Sequence, residues 1–361
     1  MECEAAGGFF IFRGDFEYMN ITYERLMPDP EVIREMYPVT PEIQANKAKR
    51  DKELKDILAG KEDKFILVIG PCSADNEEAV LDYCMRLWKV AEEVKDKIFI
   101  VPRVYTNKPR TKGTGYKGML HQPDPEGKSD MLAGLIAIRK MHLDVCMKTG
   151  FTTADEMLYP ENHSFLDDVL SYVAVGARSV ENQQHRMVGS AVDIPCGMKN
   201  PTSGDFSVML NAIVAAQAPQ TFIYRNYEVH STGNPYAHAI LRGAISKHGS
   251  AVPNYHYEDL IRLYEMYQKT DVKNRAVIVD CNHSNSGKQY MQQIRIAKEV
   301  LHSMRQSKEV KEMVKGLLIE SYIEPGCQKI GEGVYGKSIT DPCLGWDDTE
   351  KLIREIADTL V

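Results

Sequence analysis

The chain contains little cysteine and none of the paired cysteine motifs that form redox centres or zinc sites. Eight cysteines are spread over 361 residues, and no C-x-x-C occurs. This density is too low for a disulfide scaffold, so we expect reduced thiols, as in the cytoplasm. The N-terminus carries acids at Glu2 and Glu4, and the apolar run at 9–12 is too short for a secretory signal. The sequence therefore predicts a cytoplasmic protein.

Long apolar runs and an excess of positive charge are also missing. The longest apolar stretches, such as 65–69, fall far short of the about 18 to 20 residues that cross a bilayer. Lysine and arginine number 44 against 51 acidic residues, which gives a formal charge of -7. No general basic field draws such a chain to nucleic acid or to an anionic membrane. We expect neither partner, and any anionic ligand requires a local basic pocket.

Short apolar runs do alternate with segments of helical periodicity. The runs, which we interpret as strands, lie at 65–69, 98–101, 152–157, 173–177, 194–198, 221–224, 276–279 and 317–319. Eight strand–helix units favour an α/β fold of the (β/α)8 TIM-barrel class over an open sheet. Residues 65–361 are predicted to form the catalytic barrel, and residues 1–64 an N-terminal extension with a solvated helix. Long loops are predicted after strands 2 and 6, at 106–130 and 225–254.

Four side chains at or beyond the predicted strand ends form a mixed set of metal donors. They are Cys72, His283, Glu320 and Asp341. Sulfur, imidazole and carboxylate together suit Mn, Fe, Co or Zn better than Mg or Ca. Each residue alone also has an ordinary explanation: a core cysteine, a loop histidine or a salt-bridge acid. Together, at the barrel end where reacting groups lie, they predict one divalent metal.

A second set of side chains at the same strand ends is basic. The segment 106–118 reads TNKPRTKGTGYKG and has no acid. Four more cations, Arg103, Arg178, Lys199 and Arg242, are expected at or near strand ends. A solvated basic loop would explain the segment alone, but cations at the ends of apolar strands are costly to bury without a partner. Guanidinium and ammonium groups suit phosphate and carboxylate, so the sequence predicts an anionic ligand.

One glycine-rich segment imitates nucleotide-binding motifs. Residues 331–338 read GEGVYGKS and fit both G-x-x-x-x-G-K-[ST] and G-x-G-x-x-G. Such loops directly follow a strand and open an apolar helix, whereas this one runs into Ile339-Thr-Asp-Pro342. We therefore predict that it is not a nucleotide loop.

Several ordered motifs together resemble a known family. They are Gly70-Pro-Cys-Ser73, Lys108-Pro-Arg-Thr111, Gly176-Ala-Arg178, Gly197-Met-Lys-Asn200, Leu241-Arg-Gly243, Asn282-His-Ser284, Ile319-Glu-Ser321 and 335–341. From about residue 26 onward the chain resembles the type I 3-deoxy-D-arabino-heptulosonate 7-phosphate (DAHP) synthases. The resemblance implies a metal-dependent barrel enzyme that condenses phosphoenolpyruvate with erythrose 4-phosphate and releases phosphate, the first step of the shikimate pathway. It also implies a homodimer or homotetramer, with an aromatic amino acid as effector and the N-terminal extension in oligomer contacts.

The same resemblance assigns roles to the two sets. Cys72, His283, Glu320 and Asp341 resemble the family's metal ligands. Phosphoenolpyruvate would be held by Arg103, Lys108, Arg178, Lys199 and Arg242, with Glu156 reaching it through water. Arg110 and Thr111 would bind the phosphate of the aldose. The catalytic residues would be Lys108 and the two ligands Cys72 and His283. Lys108 would protonate the new alkoxide.

Two other functions stay open at this stage. One is the related synthase that takes arabinose 5-phosphate to an eight-carbon keto-sugar phosphate, against which the Lys108-Pro-Arg-Thr111 motif speaks. The other is a catalytically silent barrel that acts as a scaffold or effector-binding subunit. The intact donor set argues against it.

Overall fold

The structure is a computed structural model that describes residues 20–110 and 113–360. Two helices precede the first strand: α1 (Pro30–Met36) and α2 (Pro41–Leu58). Helix α2 begins with Pro41 at its first position, and the Thr40 hydroxyl accepts a 3.3 Å hydrogen bond from Ile43 N. Both features are favourable helix starts, because Pro needs no hydrogen-bond acceptor there and Thr satisfies a free N–H.

Fourteen strands are described, and eight of them form one parallel sheet. The sheet contains β1 (Phe65–Gly70), β2 (Ile98–Pro102), β3 (Thr153–Glu156), β4 (Leu170–Val175), β5 (Cys196–Lys199), β8 (Ala237–Leu241), β11 (Val277–Asp280) and β12 (Val314–Glu320). The remaining strands pair outside it: β6 (Thr221–Tyr224) with β7 (Tyr227–His230), β9 (Ala244–Ile245) with β10 (Ala251–Val252), and β13 (Glu324–Cys327) with β14 (Lys337–Ser338).

Helices follow most of the barrel strands. They are α3 (Glu77–Val94), α4 (Met131–Thr149), a 3-10 helix (Pro160–Phe165), α5 (Gln183–Ala191), α6 (Phe206–Gln217), α7 (Tyr257–Gln268), α8 (Gln292–Gln306), α9 (Lys308–Met313) and α10 (Trp346–Thr359). Asn76 caps α3, and Asp130 caps α4, which ends at the left-handed Gly150. Among the described residues, none of these helices is long and apolar enough to cross a membrane.

The strand order is β2-β1-β12-β11-β8-β5-β4-β3, so closing the barrel requires β2 to meet β3. Neighbours within this order are joined by ladders of three to five residue pairs. β2 and β3 meet instead through a bridge between Arg103 and Ala154. We call this joint, residues 98–106 against 152–156, the seam. Arg50 of α2 ties its lower end by donating to Ile100 O at 2.6 Å and to Thr152 Oγ1 at 3.1 Å.

Alternating side chains of the strands build two apolar layers. Phe65, Leu67 and Ile69 of β1 pack outward against the helices, while Ile66 and Val68 face the barrel interior. This alternation follows from the two-residue period of a strand. The interior cluster also contains three α2 residues, Leu54, Ile57 and Leu58. The expectation of a merely solvated helix here was wrong, because α2 buries one apolar face against the barrel interior.

The predicted (β/α)8 barrel is confirmed, with one strand corrected. The run at 221–224 is a strand, but it belongs to the β6–β7 hairpin outside the barrel. The sixth barrel strand is β8, which lies inside the segment 225–254 that we predicted to be a loop. The long connection after strand 2 is confirmed, since α4 starts only at Met131. The motif at 331–338 leads into β14 and opens no helix, as expected.

Candidate active site

Three of the four predicted metal donors meet at the carboxyl end of the barrel. Cys72 follows β1, Glu320 ends β12, and Asp341 follows β14. One ligand atom from each lies within 4.8 Å of those of the other two. Cys72 and Glu320 are fully buried. Neighbouring parallel strands bring their ends together, which explains how residues 72 and 320, far apart in sequence, become adjacent.

His283 lies beside this group, slightly apart from it. Its Nε2 atom is 3.9 Å from Glu320 Oε1, and its Nδ1 atom is 2.7 Å from Asp280 Oδ2. The residue has a φ of 45°, a left-handed conformation that is uncommon outside glycine and is often found at functional sites. Asp280 thus orients the ring so that Nε2 faces the other donors, which is the usual arrangement behind a metal-binding histidine.

Cations around the donors keep the two carboxyl groups ionised. Burial alone would raise the pKa of Glu320, but Arg103 and His283 bring it below its ordinary value. Arg103 Nη2 is 2.7 Å from Glu320 Oε1, and Asn282 Nδ2 donates to Oε2. For Asp341 burial again opposes ionisation, yet Lys108 and Lys288 lower its pKa to about 2. Both carboxylates are therefore ready to act as ligands at neutral pH.

The thiol of Cys72 has the opposite tendency. Burial raises its pKa, the nearby Glu320 raises it further, and Lys108 works against both. Lys108 Nζ lies 2.9 Å from Cys72 Sγ and 2.9 Å from Cys72 O. Burial would lower the pKa of Lys108, but Cys72, Glu320 and Asp341 raise it above its ordinary value. A metal that binds here must displace the thiol proton, because only the thiolate is a strong ligand.

The predicted basic set surrounds the donors on one side. Arg103 and Lys199 are buried, and the Lys199 ammonium lies 3.4 Å from Glu156 Oε2. Arg103 Nη1 and Arg242 Nη1 are buried without a hydrogen-bond partner among the described residues. Two such guanidinium donors are expensive to leave unsatisfied, so their positions point to an anion as the missing acceptor. Burial lowers the pKa of Arg242, and the positive charge of the exposed Arg178 nearby lowers it further.

Glu156 is buried at the end of β3 and stays ionised. Burial would raise its pKa, but Lys199, Lys108 and Arg103 lower it below the ordinary value. Gly176 leaves the room for this side chain, because a Cβ atom there would lie 2.5 Å from Glu156 Oε1. The glycine of the Gly176-Ala-Arg178 motif thus has a packing function.

Arg110 and Thr111 are the two residues predicted to bind the aldose phosphate. Arg110 is exposed, and its Nε donates to Tyr116 O at 2.7 Å across the loop. Thr111 lies outside the described residues. Their assignment stays a prediction.

Sequence reasoning missed the residues that hold Glu320 in place. Gln293 of α8 donates to Glu320 O at 2.9 Å and accepts from Glu320 N at 2.8 Å. Asn282 belongs to the motif Asn282-His-Ser284, but the sequence analysis gave it no role. Gln293 had no signal at all, since a buried glutamine on an amphipathic helix is recognised only once the helix is docked.

The donor set fits a divalent metal. A thiol and two carboxylates offer ligand atoms within 4.8 Å of one another, and the imidazole of His283 lies beside them. Arg103 and Asn282 hydrogen-bond to Glu320, and Asp280 Oδ2 lies 2.7 Å from His283 Nδ1. Sulfur and nitrogen among the donors favour Mn, Fe, Co or Zn over Mg and Ca. The chemistry of the set therefore agrees with the sequence prediction.

Comparison with known proteins decides the family. Residues 38–354 match the DAHP synthetase I family. The chain belongs to the DAHP synthetase I family. It is 36% identical over 351 residues to the Tyr-sensitive phospho-2-dehydro-3-deoxyheptonate aldolase of Escherichia coli K12, covering 95% of each chain. It is 37% identical to the Trp-sensitive enzyme of Enterobacter agglomerans, covering 93% of this chain and 95% of that one.

A solved structure supports the same conclusion. The phospho-2-dehydro-3-deoxyheptonate aldolase of Francisella tularensis superposes with a TM-score of 0.88 at 29% sequence identity. The match covers 94% of this chain and 98% of the other. The predicted resemblance to the DAHP synthase family is thus confirmed, and this member of the family is an enzyme.

Proposed function

We propose that the enzyme condenses phosphoenolpyruvate with erythrose 4-phosphate to give DAHP and phosphate, with the help of one divalent metal. The observation that carries this proposal is the pairing of the two sets: converging metal donors stand beside two arginines, Arg103 and Arg242, whose buried Nη1 atoms have no hydrogen-bond partner among the described residues. A metal site alone would suit many reactions. A metal site beside receptors for a phosphate and a carboxylate suits a small phosphorylated acid.

The cationic side chains bind and orient the first substrate in this proposal. Arg103 and Arg242 supply the unpartnered N–H groups, and Lys199 and Arg178 add charge around them. Two polyanionic substrates repel one another, so these cations must neutralise both before the reacting carbons can approach. Positioning of this kind can supply several kcal/mol of the barrier reduction. Glu156, held by Lys199, would place a water next to phosphoenolpyruvate.

The metal would be held by Cys72, His283, Glu320 and Asp341, and when bound it would supply Lewis acidity toward the aldehyde oxygen. C3 of phosphoenolpyruvate would attack the aldehyde carbon, and Lys108 would give a proton to the oxygen that becomes negative. Water then adds to C2 and phosphate leaves. Lys108 suits the proton transfer because it is protonated and lies against the donor set.

The test is a phosphate-release assay on the metal-free and metal-loaded enzyme. Release from phosphoenolpyruvate should require both erythrose 4-phosphate and Mn²⁺, and arabinose 5-phosphate should not replace the tetrose. Cys72→Ala should lose activity by at least 100-fold and should also bind less than one Mn²⁺ per chain by equilibrium dialysis. Activity with arabinose 5-phosphate would favour the eight-carbon synthase, and full activity of Cys72→Ala would reject the ligand assignment.

We also propose an aromatic amino acid as effector and a homodimer or homotetramer as the assembly. The support is that relatives are named Tyr-sensitive and Trp-sensitive. Residues 1–64 are proposed to contribute to assembly and regulation. We further propose that the enzyme acts in the cytoplasm.

A further inference from the structure

A buried polar network lies next to the proposed site without belonging to it. It joins His142 of α4, Thr153 and Asp155 of β3, and Thr106 at the base of the long loop after β2. All four side chains are buried, and Asp155 is only 3% exposed. A carboxylate and an imidazole in an apolar setting are costly unless they are well hydrogen-bonded, so the network calls for an explanation.

Asp155 is the centre of this network. Its Oδ1 accepts from Thr106 N at 2.9 Å and from Glu156 N at 2.7 Å, and its Oδ2 accepts from the Thr106 hydroxyl. His142 Nε2 stands 3.5 Å from Oδ2, and His142 Nδ1 shares a 2.7 Å hydrogen bond with the Thr153 hydroxyl. One carboxylate thus binds the backbone of both β3 and the loop base.

The position of Asp155 on the seam gives these bonds their importance. β2 and β3 are joined by the Arg103–Ala154 bridge and a bond from Val104 N to Ala154 O of 2.9 Å. Beyond that point, toward the site, the Asp155 side chain holds the segment after β2 to the end of β3. It replaces the backbone ladder that joins the other neighbouring strands.

Two residues of the proposed site continue directly from this joint. Glu156 follows Asp155 in β3, and its side chain turns toward Lys199. Lys108 follows Thr106 by two positions, and its ammonium reaches Cys72. The returning limb of the loop also packs here, since Lys108 N donates to Lys117 O at 3.0 Å and a Cβ at Gly118 would lie 2.3 Å from Thr106 O. A displacement of the Thr106 backbone would therefore also displace Lys108.

We propose that Asp155 is a positioning residue that fixes Lys108 relative to Glu156 through the main chain and hydroxyl of Thr106. This inference rests on the proposed function only in taking Lys108 and Glu156 as groups that meet the substrate. The polar partners of the Asp155 carboxylate are Thr106, Glu156 and His142, none of which is a predicted metal donor. A displacement of about 1 Å at a reacting group is enough to slow an enzyme by about 100-fold, so the joint affects rate more than stability.

Two isosteric substitutions separate positioning from simple stability. Thr106→Val removes the hydroxyl that Asp155 accepts, and Thr153→Val removes an equally buried hydroxyl at the far end of the same network. Both should lower the thermal unfolding midpoint to a similar extent. Thr106→Val should lower kcat at least tenfold, whereas Thr153→Val should stay within twofold. Thr106→Ser, which keeps the hydroxyl, should restore kcat to within threefold.

A double-mutant cycle and hydrogen exchange complete the test. Asp155→Asn keeps an acceptor for the two amides but cannot accept the Thr106 hydroxyl with its other atom, so adding Thr106→Val to it should lower kcat little further. The backbone amides of Asn107, Lys108 and Arg110 should exchange faster in Thr106→Val than in Thr153→Val.

Equal loss of kcat in the two valine variants, or unchanged exchange at the amides of Asn107, Lys108 and Arg110, would overturn the proposal. If the wild-type enzyme shows no condensation, the proposed function fails, and the exchange data still decide whether Asp155 positions the loop.

Discussion

At the scale of single residues, the most unusual group away from the metal donors is Asp75. Burial raises its pKa from an ordinary 3.8 to about 7. Its Oδ1 and the hydroxyls of Tyr116 and Tyr322 lack hydrogen-bond partners among the described residues. A carboxyl group in such a place binds its proton more tightly when the chain is folded than when it is unfolded.

This difference predicts a pH-dependent stability. Between about pH 4 and pH 7 the unfolded chain loses the Asp75 proton while the folded chain keeps it, so the free energy of unfolding falls as the pH rises, by at most about 1.4 kcal/mol per unit. Asp75→Asn removes this loss. By urea denaturation, the free energy of unfolding of the variant relative to that of the wild type should be about 2 kcal/mol or more higher at pH 8 than at pH 5. Parallel curves for the two proteins would contradict the pKa shift.

Residue types at strand ends were the most predictable part of the site. Cys72, Arg103, Lys199 and Glu320 all follow apolar runs, and all four lie where the sequence placed them. Asp155 and Gln293 were not predictable, because their function depends on partners that only the folded chain brings near. A buried acid next to Glu156 in sequence gives no sign that it binds Thr106, 49 positions earlier.

At the scale of secondary-structure elements, the contact between α4 and the loop before it is unusually close. A Cβ atom at Gly134 in the first turns of α4 would lie 1.8 Å from Leu120 O. The loop thus packs directly against the helix backbone, and only glycine allows this approach. The long loop after β2 is anchored at this end by the helix and at the other end by the seam.

Gly134→Ala should therefore destabilise the protein although alanine favours helices. We expect a loss of about 1 to 3 kcal/mol, the usual cost of overpacking, measured by urea denaturation. Gly189→Ala in α5 is the matched control, because the only tight contact of the added Cβ would be with the flexible end of Met198 at 3.0 Å, while Cys196 Sγ and Ala216 Cβ lie at ordinary distances of 3.6 and 3.7 Å. That variant should be neutral or gain up to about 1 kcal/mol from helix propensity. Equal losses in both would show that the backbone contact is not the cause.

The one barrel strand that the sequence misplaced shows why element prediction failed there. β8 reads Ala-His-Ala-Ile-Leu, and the histidine interrupts an otherwise apolar run. In the structure His238 is buried with its Nε2 2.8 Å from the Tyr172 hydroxyl and its Nδ1 2.8 Å from Tyr236 O. Tyr172 belongs to β4, two strands away from β8 in the sheet, and Tyr236 directly precedes β8. The sequence alone does not show these partners, so it favoured the more apolar run at 221–224.

At the scale of the whole molecule, the eight-unit alternation was enough to predict the barrel and the end that carries the site. It was not enough to predict how the barrel is closed. β2 is an apolar run and β3 reads Thr-Ala-Asp-Glu, but neither pattern shows that these two strands share a single bridge and a set of side-chain bonds from Arg50 and Asp155.

A barrel that is closed by fewer backbone hydrogen bonds at one seam is expected to open first at that seam. Arg103 and Lys108 lie on the β2 side of the seam and Glu156 on the β3 side. A small separation of the two sides would therefore move apart the groups that we propose bind the same substrate, before any helix unfolds. Turnover should consequently vanish at a lower urea concentration than the far-ultraviolet circular dichroism signal, by roughly 0.5 M or more. If activity and the circular dichroism signal are lost at the same urea concentration, the seam opens only when the whole protein unfolds.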